Sequence, residues 1–443
     1  MNTVRIGSGA GYSGDRIDPA VELAERGDIS YLVFECLAER TIAIAQKARL
    51  LDPAAGYDPL LEERMRAVLP ICADRHIRII SNMGAANPQA AAAKTRDIAK
   101  QLGLPGLRIA AVTGDDVLEI LQTGLNVIET PEGPLPPADT WLSANAYLGV
   151  SPILEALQSN ADIILTGRVA DPALFLAPLI HEFRWPLDNW NLLGQGTVVG
   201  HLLECAGQLT GGYFADPGFK DVPNLDRLGF PIAEVSSDGS AILTKVAGSG
   251  GFLNRATCTE QLLYEIQDPS AYYTPDVIAD FAQVSFEELG DDRVRVSGGA
   301  GHARPSTLKV SIGYRDGYIG EGQISYAGPN ALARAELARN ILTKRLAGHV
   351  LSELRFDFIG LNSIHGAHLS SNAPVPYEVR LRATSHATSL ATASWIPREV
   401  EALYTNGPAG GGGASGSTRE IVAITSALIP RESISHHVQI LES

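Results

Sequence analysis

Continuous apolar runs alternate with helix-length segments through the first third of the chain. Apolar runs flanked by turn residues are typical of buried strands in a parallel sheet, and the longer segments between them predict helices that cover its faces. The predicted strands are 29–35, 77–81, 107–112, 140–147 and 163–166, with helices at 40–51, 60–76, 87–102 and 152–159. The pattern predicts an α/β fold with a doubly wound, mostly parallel sheet.

The pattern changes after about residue 270. A β-hairpin at 232–235 and 241–246 precedes the change, and short alternating segments separated by turns follow it. Further elements are expected as helices at 330–348 and 385–403 and strands at 355–361, 377–384 and 421–428. We therefore expect two domains, an α/β domain over residues 1–270 and an α+β domain over residues 271–443.

Composition and net charge limit the kinds of partner that the protein is expected to bind. The formal net charge of −15 argues against nucleic acid, because phosphate binding needs a basic face, but local donors are enough for a small anionic substrate. The four cysteines have no C-x-x-C spacing, so no metal is assigned. No uncharged apolar run reaches the roughly 18 residues of a membrane span, and no leader is evident. We expect a cytoplasmic protein with no membrane contact.

The first strand runs into a glycine-rich turn that ends on an acid and a base, Gly7-Ser8-Gly9-Ala10-Gly11-Tyr12-Ser13-Gly14-Asp15-Arg16. Glycine lets backbone N–H groups approach an anion closely, so the turn is a candidate ligand loop. Gly9, Gly11 and Gly14, with Glu35 after the next strand, also match the dinucleotide fingerprint. Polar side chains within the turn and the late helix start at Asp18 weaken that alternative.

Polar residues stand where successive predicted strands end. Ligands of open α/β sheets bind at the carboxyl ends of the strands, so these residues are predicted to share a cleft, although turn chemistry explains any single one. Asp15 and Glu35 are the candidate acid–base groups. The candidate binding residues of this cleft are Gly9, Gly11, Ser13, Gly14, Arg16, Asn82, Asn145 and Arg168.

A second glycine-rich stretch, NGPAGGGGASGSTRE, occupies residues 406–420. Four successive glycines predict a loop held for its backbone, and a flexible surface linker is the alternative. Its candidate ligand-binding residues are Gly411, Gly412, Ser415 and Arg419. Because each glycine-rich loop ends beside an arginine, and arginine pairs both oxygens of a carboxylate or phosphate, we predict that the two loops contribute to one anionic-ligand cleft.

Two histidine positions bear on chemistry. His302, in glycine-rich surroundings, is a candidate acid–base residue. His201 and Glu204 share a helical face, but a metal site needs more ligands, so they are interpreted as a packed polar pair. The G-x-S-x-G, P-loop lysine and H-E-x-x-H motifs do not occur, which removes support for the common hydrolase, NTPase and zinc-protease mechanisms.

Several motifs together resemble the acyclic terpene utilisation AtuA family. The resemblance covers nearly the whole chain and is carried by residues 7–19, 35–41 (ECLAERT), 81–88 (SNMGAANP), 166–172 (TGRVADP) and 406–420. It implies breakdown of acyclic terpenes and related branched acids through coenzyme A thioesters. We therefore expect a lyase or hydratase acting on an acyl-CoA or hydroxy acid, with Arg16 and Arg168 holding the anion and Asp15 or Glu35 as acid–base.

The resemblance also implies a partner. Relatives often carry, or are encoded beside, a small ferredoxin-fold AtuA-like domain, of which the sequence shows no trace after Arg431. A separate small subunit or a homo-oligomer is therefore expected. No cofactor is assigned beyond a coenzyme A thioester as substrate. Two other functions stay open: an NAD-linked oxidoreductase that uses Gly9, Gly11, Gly14 and Glu35, and a non-catalytic ligand-binding subunit of a larger complex.

Overall fold

The computed structural model describes residues 3–124, 127–370, 372 and 374–443. The chain forms two compact units, Met1–Gly313 with Ile424–Ser443 and Tyr314–Ala423. The domain boundary predicted near residue 270 falls inside the first unit. An α+β domain over residues 271–443 stays a prediction.

Strands account for much of both units. In chain order they are β1 (Thr3–Ala10), β2 (Tyr31–Phe34), β3 (Arg78–Ser81), β4 (Arg108–Thr113), β5 (Trp141–Ala146), β6 (Ile163–Thr166), β7 (Pro231–Ser236), β8 (Ala241–Lys245), β9 (Tyr272–Tyr273), β10 (Ile278–Asp280), β11 (Ser285–Gly290), β12 (Arg293–Ser297), β13 (Ala300–His302), β14 (Thr307–Ala327), β15 (Ser352–Ile359), β16 (Glu378–Ala387), β17 (Gly412–Pro430) and β18 (His437–Glu442).

Helices connect most of these strands. They are α1 (Asp18–Arg26), α2 (Glu39–Leu51), α3 (Leu61–Arg75), α4 (Pro88–Gln101), α5 (Leu118–Gln122), α6 (Ser151–Gln158), α7 (Ala173–Phe183), α8 (Trp190–Glu204), α9 (Arg255–Leu263), α10 (Ala331–Leu346), α11 (Gly366–Ser370), α12 (Leu390–Ala393) and α13 (Trp395–Asn406). Short 3₁₀ turns lie at Ala138–Thr140, Ala206–Gln208, Leu225–Arg227 and Arg431–Ser433.

A large mixed sheet organises the first unit. Its described strands lie in the order β11-β12-β8-β7-β1-β2-β3-β6-β4-β18. The central strands β1, β2, β3, β6 and β4 are parallel, whereas β7 and β18 pair antiparallel to the ends of that block. A mixed α/β fold is confirmed, but the expectation of a mostly parallel sheet is wrong, because the predicted hairpin β7–β8 and later strands extend it with antiparallel pairs. The doubly wound arrangement stays a prediction.

The central strands are buried on both faces, which explains their unbroken apolar runs. Val33 and Ile80 belong to a core cluster that includes residues of α6, α7 and α8. Their chain neighbours Leu32 and Ile79 belong to a second cluster with residues of α1, α3 and α4. Successive side chains of a strand point to opposite faces, so helices cover both sides of the sheet. A ligand site is therefore expected at the carboxyl ends of the parallel strands.

Strand β5 was predicted at the right residues, but it leaves the large sheet and pairs with β14. Ala144 and Ala146 join a separate core cluster with Leu308 and Val310. Residues 142–146 are all buried, as in the central strands of the large sheet, so the burial pattern of β5 does not reveal its partner.

In the second unit, β16 lies between β15 and β14 in antiparallel register, and α10 and α13 supply apolar residues to the same core. The helix expected at 385–403 is wrong in its first residues, since β16 continues to Ala387. The loop expected at 406–420 is also wrong beyond its first residues, because β17 begins at Gly412. A Cβ at Gly416 would lie 2.4 Å from Cβ of Pro397, so glycine serves close packing within this strand.

Candidate active site

The first glycine-rich turn is shorter than predicted and is closed by its own acid. Strand β1 continues through Ala10, and the Asp15 carboxylate then accepts hydrogen bonds from the backbone N–H groups of Gly11 (3.0 Å) and Arg16 (3.0 Å). Burial raises the pKa of Asp15, and these bonds oppose that shift. Since Asp15 already occupies these amides with negative charge, the turn does not favour a pyrophosphate there.

Arg64 of α3 lies buried beneath the same turn and stabilises it. Its side chain is fully buried, and its guanidinium donates to the carbonyl oxygens of Ser13 (2.9 Å) and Asp15 (3.3 Å) and pairs with the buried Asp58 (3.1 Å). Sequence reasoning missed this residue, although a base among the buried positions of α3 was a signal. Arg64 fixes the turn by its backbone oxygens, whatever the side chains of the turn bind.

Three glycines of the glycine-rich stretch have packing reasons. A Cβ at Gly11 would lie 2.4 Å from the carbonyl carbon of Cys205, so the turn contacts the residue that follows α8. Gly9 lies against the ring of Phe34, and Gly14 lies against the ring of Tyr12. Of the three, Gly11 lines the cleft described below. The fingerprint spacing therefore has a structural explanation that needs no dinucleotide.

Glu35 directly follows β2, and hydrogen bonds hold one oxygen of its carboxyl group. Its Oε1 accepts from the side-chain amide of Asn82 (2.9 Å) and from the backbone N–H of Leu37 (2.8 Å). Its Oε2 accepts no hydrogen bond within the described part of the chain. Burial raises the pKa of Glu35 well above its ordinary value, and the negative charge of Asp171 adds to the shift. Glu35 is thus an oriented carboxyl group that retains a proton readily.

Arg168 and Asp171 lie in the turn between β6 and α7. The Arg168 guanidinium is 2% exposed, lies 3.1 Å from Oδ1 of Asp171, and donates to the carbonyl oxygen of Leu37. It also lies 4.1 Å over the ring of Tyr147. Burial raises the pKa of Asp171 to about 7, despite the opposing charge of Arg168. A fixed cation and a carboxyl group that titrates near neutrality therefore lie side by side.

Asn145 and Asp115 support this turn from behind. The Asn145 amide donates to Asp115 Oδ2 (2.8 Å), and the same oxygen accepts from the backbone N–H of Arg168 (2.9 Å). Burial raises the pKa of Asp115 to about 6. A Cβ at Gly167 would lie 2.3 Å from this carboxylate, so the turn fits closely around Asp115. Asn145 thus supports the position of Arg168, and its role in substrate binding stays a prediction.

Asp15, Glu35, Arg168 and Asp171 line one cleft in the first unit, with a volume of about 740 Å³. One part of its lining carries charge: Asp15, Arg16, Glu35, Glu39, Arg168, Asp171, Glu204 and Glu265. Another part is apolar or aromatic: Tyr12, Leu37, Tyr213, Leu225, Leu228, Phe230 and Tyr264. The cleft is therefore amphipathic and has the size of small-molecule sites in general.

The predicted site residues of the first unit divide into three groups. Gly11, Ser13, Asp15, Arg16, Glu35 and Arg168 line the cleft, while Gly9, Gly14, Asn82 and Asn145 support it or pack beside it. His302 lies on β13 with a side chain 65% exposed, 4.0 Å from Asp280, and outside the cleft lining.

The candidates from the second glycine-rich stretch, Gly411, Gly412, Ser415 and Arg419, belong to the second unit, where Ser415 accepts from Arg380 (2.8 Å). The cleft shared by both stretches stays a prediction, as do the catalytic roles of Asp15, Glu35 and His302.

The family model for the acyclic terpene utilisation family protein AtuA matches residues 4–440. The chain belongs to the AtuA family. No curated protein and no solved structure matches it. The family match includes every lining residue of the cleft, so the cleft is part of the AtuA-family sequence rather than an addition to it.

Two further features of this AtuA-family chain concern ligands and membranes. Within the residues that the structure describes, no group of three or more His, Cys, Asp and Glu side chains is placed to hold a metal ion. In the same residues, no helix has both the length and the apolar character that a membrane crossing needs.

Proposed function

We propose that this AtuA-family chain is a lyase or hydratase that removes or adds water on a branched-chain hydroxy acid or its thioester. The observation that carries the proposal is the group formed by Glu35, Asp171 and Arg168 in the cleft. Two carboxyl groups with raised pKa values stand beside a buried arginine. Pairs of titratable groups with perturbed pKa values are typical of acid–base catalysis.

Glu35 is the proposed proton donor to the departing hydroxyl group. Asn82 and Leu37 hold its Oε1, which leaves Oε2 for the substrate. Because burial and the charge of Asp171 raise the pKa of Glu35 and favour its protonated form, Glu35 is suited to donate that proton. Asp15 is a weaker candidate, since both of its oxygens already accept backbone hydrogen bonds. Asp15 instead stabilises the shape of the turn through these hydrogen bonds.

The two arginines of the lining suit an anionic substrate. Arg168 keeps its charge beside Asp171 and Glu39, whose attraction outweighs the effect of burial and raises the arginine pKa. Arg16 is exposed and uses Nη1 for the carbonyl oxygens of Leu225 (3.2 Å) and Asp226 (3.0 Å). Its Nη2 and Nε bond to nothing among the described residues. We assign a substrate carboxylate or thioester oxygen to Arg168 and a peripheral anion to Arg16.

The apolar part of the lining suits a branched hydrocarbon chain. Leu37 and Phe230 are each 3% exposed, and Leu225 and Leu228 complete that part of the lining. Each methylene moved from water into such surroundings contributes about 0.8 kcal/mol, which favours branched over short polar acids. The substrate class implied by the AtuA family agrees with this lining.

The test uses a panel of branched 3-hydroxy acids and their 2,3-unsaturated counterparts, as free acids and as N-acetylcysteamine thioesters. Water addition and loss are followed by mass spectrometry in H₂¹⁸O. We expect turnover in the wild type and a loss of about 10²–10⁴-fold in Glu35→Gln. Glu25→Gln, on the exposed face of α1, is the matched control and keeps full turnover. Equal rates in both variants, or no ¹⁸O exchange in the wild type, would overturn the proposal.

A further inference from the structure

A buried histidine–glutamate pair stands at the end of α8. His201 is 1% exposed, and its Nδ1 lies 2.9 Å from Oε1 of Glu204. Its ring packs against the rings of Tyr272 and Phe281, with centroid distances of 5.4 Å to each, so packing fixes its orientation. Glu204 lines the cleft while His201 lies behind it. The buried contact agrees with the packed polar pair expected from the sequence, and the structure adds that its carboxylate lines the cleft.

The hydrogen bonds of His201 determine where its protons are. Nε2 lies 3.2 Å from the carbonyl oxygen of Leu262, which only accepts, so Nε2 must carry a proton. A neutral ring then has its lone pair on Nδ1, facing Oε1 of Glu204. Two lone pairs at 2.9 Å repel, so one further proton must lie between Nδ1 and Oε1. The pair holds a proton that can move between ring and carboxylate.

The electrostatics of the ring agree with this deduction. Burial disfavours a charged imidazole, but the charge and the hydrogen bond of Glu204 outweigh that effect and raise the pKa of His201. Asp171, Tyr272 and Cys205 also interact electrostatically with Glu204, and Arg168 interacts with Asp171. A carboxylate stabilised by an imidazolium is a base of fixed orientation.

The second oxygen of Glu204 is the observation that points to a ligand. Oε2 is buried and accepts no hydrogen bond from the described residues, although the side chain lines the cleft. An unsatisfied buried carboxylate oxygen is costly, and native proteins rarely keep one without a function. Glu204 is also the last residue of α8, where the helix dipole disfavours negative charge. Both features lower the stability of the folded protein, so stability alone does not explain a glutamate at this position.

We propose that Glu204 is the catalytic base of the cleft and that His201 is its positioning residue. The assignment rests on the proposed function, which leaves the base unassigned. In water elimination, Oε2 takes the proton from the carbon next to the carboxyl carbon, and the C–H electron pair forms the C=C bond. The C–O bond breaks as the hydroxyl group takes the proton of Glu35 and leaves as water. Solvent exchange then returns one proton to Glu35 and removes one from Glu204.

The first measurement is incorporation of deuterium from D₂O at carbon 2 of the same acid panel, together with kcat and KM. Glu204→Gln is expected to lower kcat and deuterium incorporation by about 10²–10⁴-fold, with KM changed less than threefold. His201→Asn keeps a donor near Oε1 but no titrating proton, and is expected to lower kcat by about 10-fold or more. Glu155→Gln is the matched control, because Glu155 pairs with His436 (3.1 Å) on the surface.

The second measurement is independent of turnover. In ¹⁵N spectra of the histidine side chains at pH 7, we expect both ring nitrogens of His201 to carry protons in the wild type. In Glu204→Gln the ring is expected to be neutral. If that variant does not fold, Glu204→Asp replaces it, and is expected to keep the doubly protonated ring while losing turnover, because the shorter carboxylate withdraws from the substrate.

The outcomes separate the two proposals. Turnover that falls in Glu35→Gln but survives in Glu204→Gln overturns the role of Glu204 alone. A neutral His201 in the wild type also overturns it, whatever the activity. A wild type without ¹⁸O or deuterium exchange on the whole panel overturns the proposed function and this assignment together.

Discussion

Replacing Arg64 with methionine tests whether a buried ion pair builds the turn of the active site. Arg64 is fully buried, and the carboxylate of its partner Asp58, 3.1 Å away, is 3% exposed. Methionine keeps much of the side-chain volume but leaves the Asp58 carboxylate without its cation. Removing one partner of such a pair typically costs about 3–5 kcal/mol, because an uncompensated charge stays in the interior.

The expected change in melting temperature follows from the size of the unit. The entropy of unfolding is about 2.1 cal/mol/K per residue, so over the length of the first unit a loss of 3–5 kcal/mol lowers the melting temperature by about 4–7 °C. Arg66→Met is the matched control on the same helix. Its salt bridge to Glu62 is 39% and 43% exposed, and such pairs contribute about 0–1 kcal/mol.

The assay is thermal unfolding followed by circular dichroism at pH 8 and pH 5. Burial already raises the pKa of Asp58, so without Arg64 the carboxyl group takes up a proton on acidification and the deficit becomes smaller at pH 5. Asp58→Asn in the Arg64→Met background is expected to recover part of the loss at pH 8. Arg64→Met melting within 1–2 °C of Arg66→Met at pH 8 would refute the reasoning.

Two further predictions concern the same unit. Burial raises the pKa of Asp171 from its ordinary 3.8 to about 7, so the folded state retains a proton that the unfolded state releases, and the resulting stability is full below about pH 4 and lost as pH rises through 7. Melting temperatures across pH 4–8 are expected to show this loss, and Asp171→Asn should flatten it; an unchanged slope contradicts the assignment. Gly11→Ala places a Cβ 2.4 Å from the Cys205 backbone and is expected to lower the melting temperature by several degrees, whereas Gly348→Ala, with no atom within 4 Å of the added Cβ, is not; equal melting points would show that the turn yields freely.

The pattern of apolar and polar residues predicted the helices and strands around the site because that pattern reflects which residues are buried. The unbroken apolar runs of β2, β3 and β6 follow from burial on both faces of the sheet. The helix predicted at 87–102 is α4, and Asn87 caps it by accepting from the N–H of Ala90 (3.2 Å). Since parallel strands end at one edge, the sequence also brought Glu35 and Arg168 to the same cleft.

Other features depended on contacts between distant segments. The pairing of β5 with β14 joins residues far apart in the chain, and the length of an apolar run does not encode a partner. The glycines after Gly410 were predicted as a loop, because their sequence shows conformational freedom but not the neighbour, Pro397, that packs against the strand.

The same reason limited what the sequence determined about the site. It identified Asp15 and Glu35 as acids of the cleft, but only the fold showed that backbone amides occupy Asp15 while Glu35 has an oxygen to offer. Arg64 and Glu204 come from α3 and α8, and the sequence of each helix indicates burial but not which partner a buried polar group meets. Which buried polar group meets which partner is decided by packing across the chain, and that packing exists only in the tertiary structure.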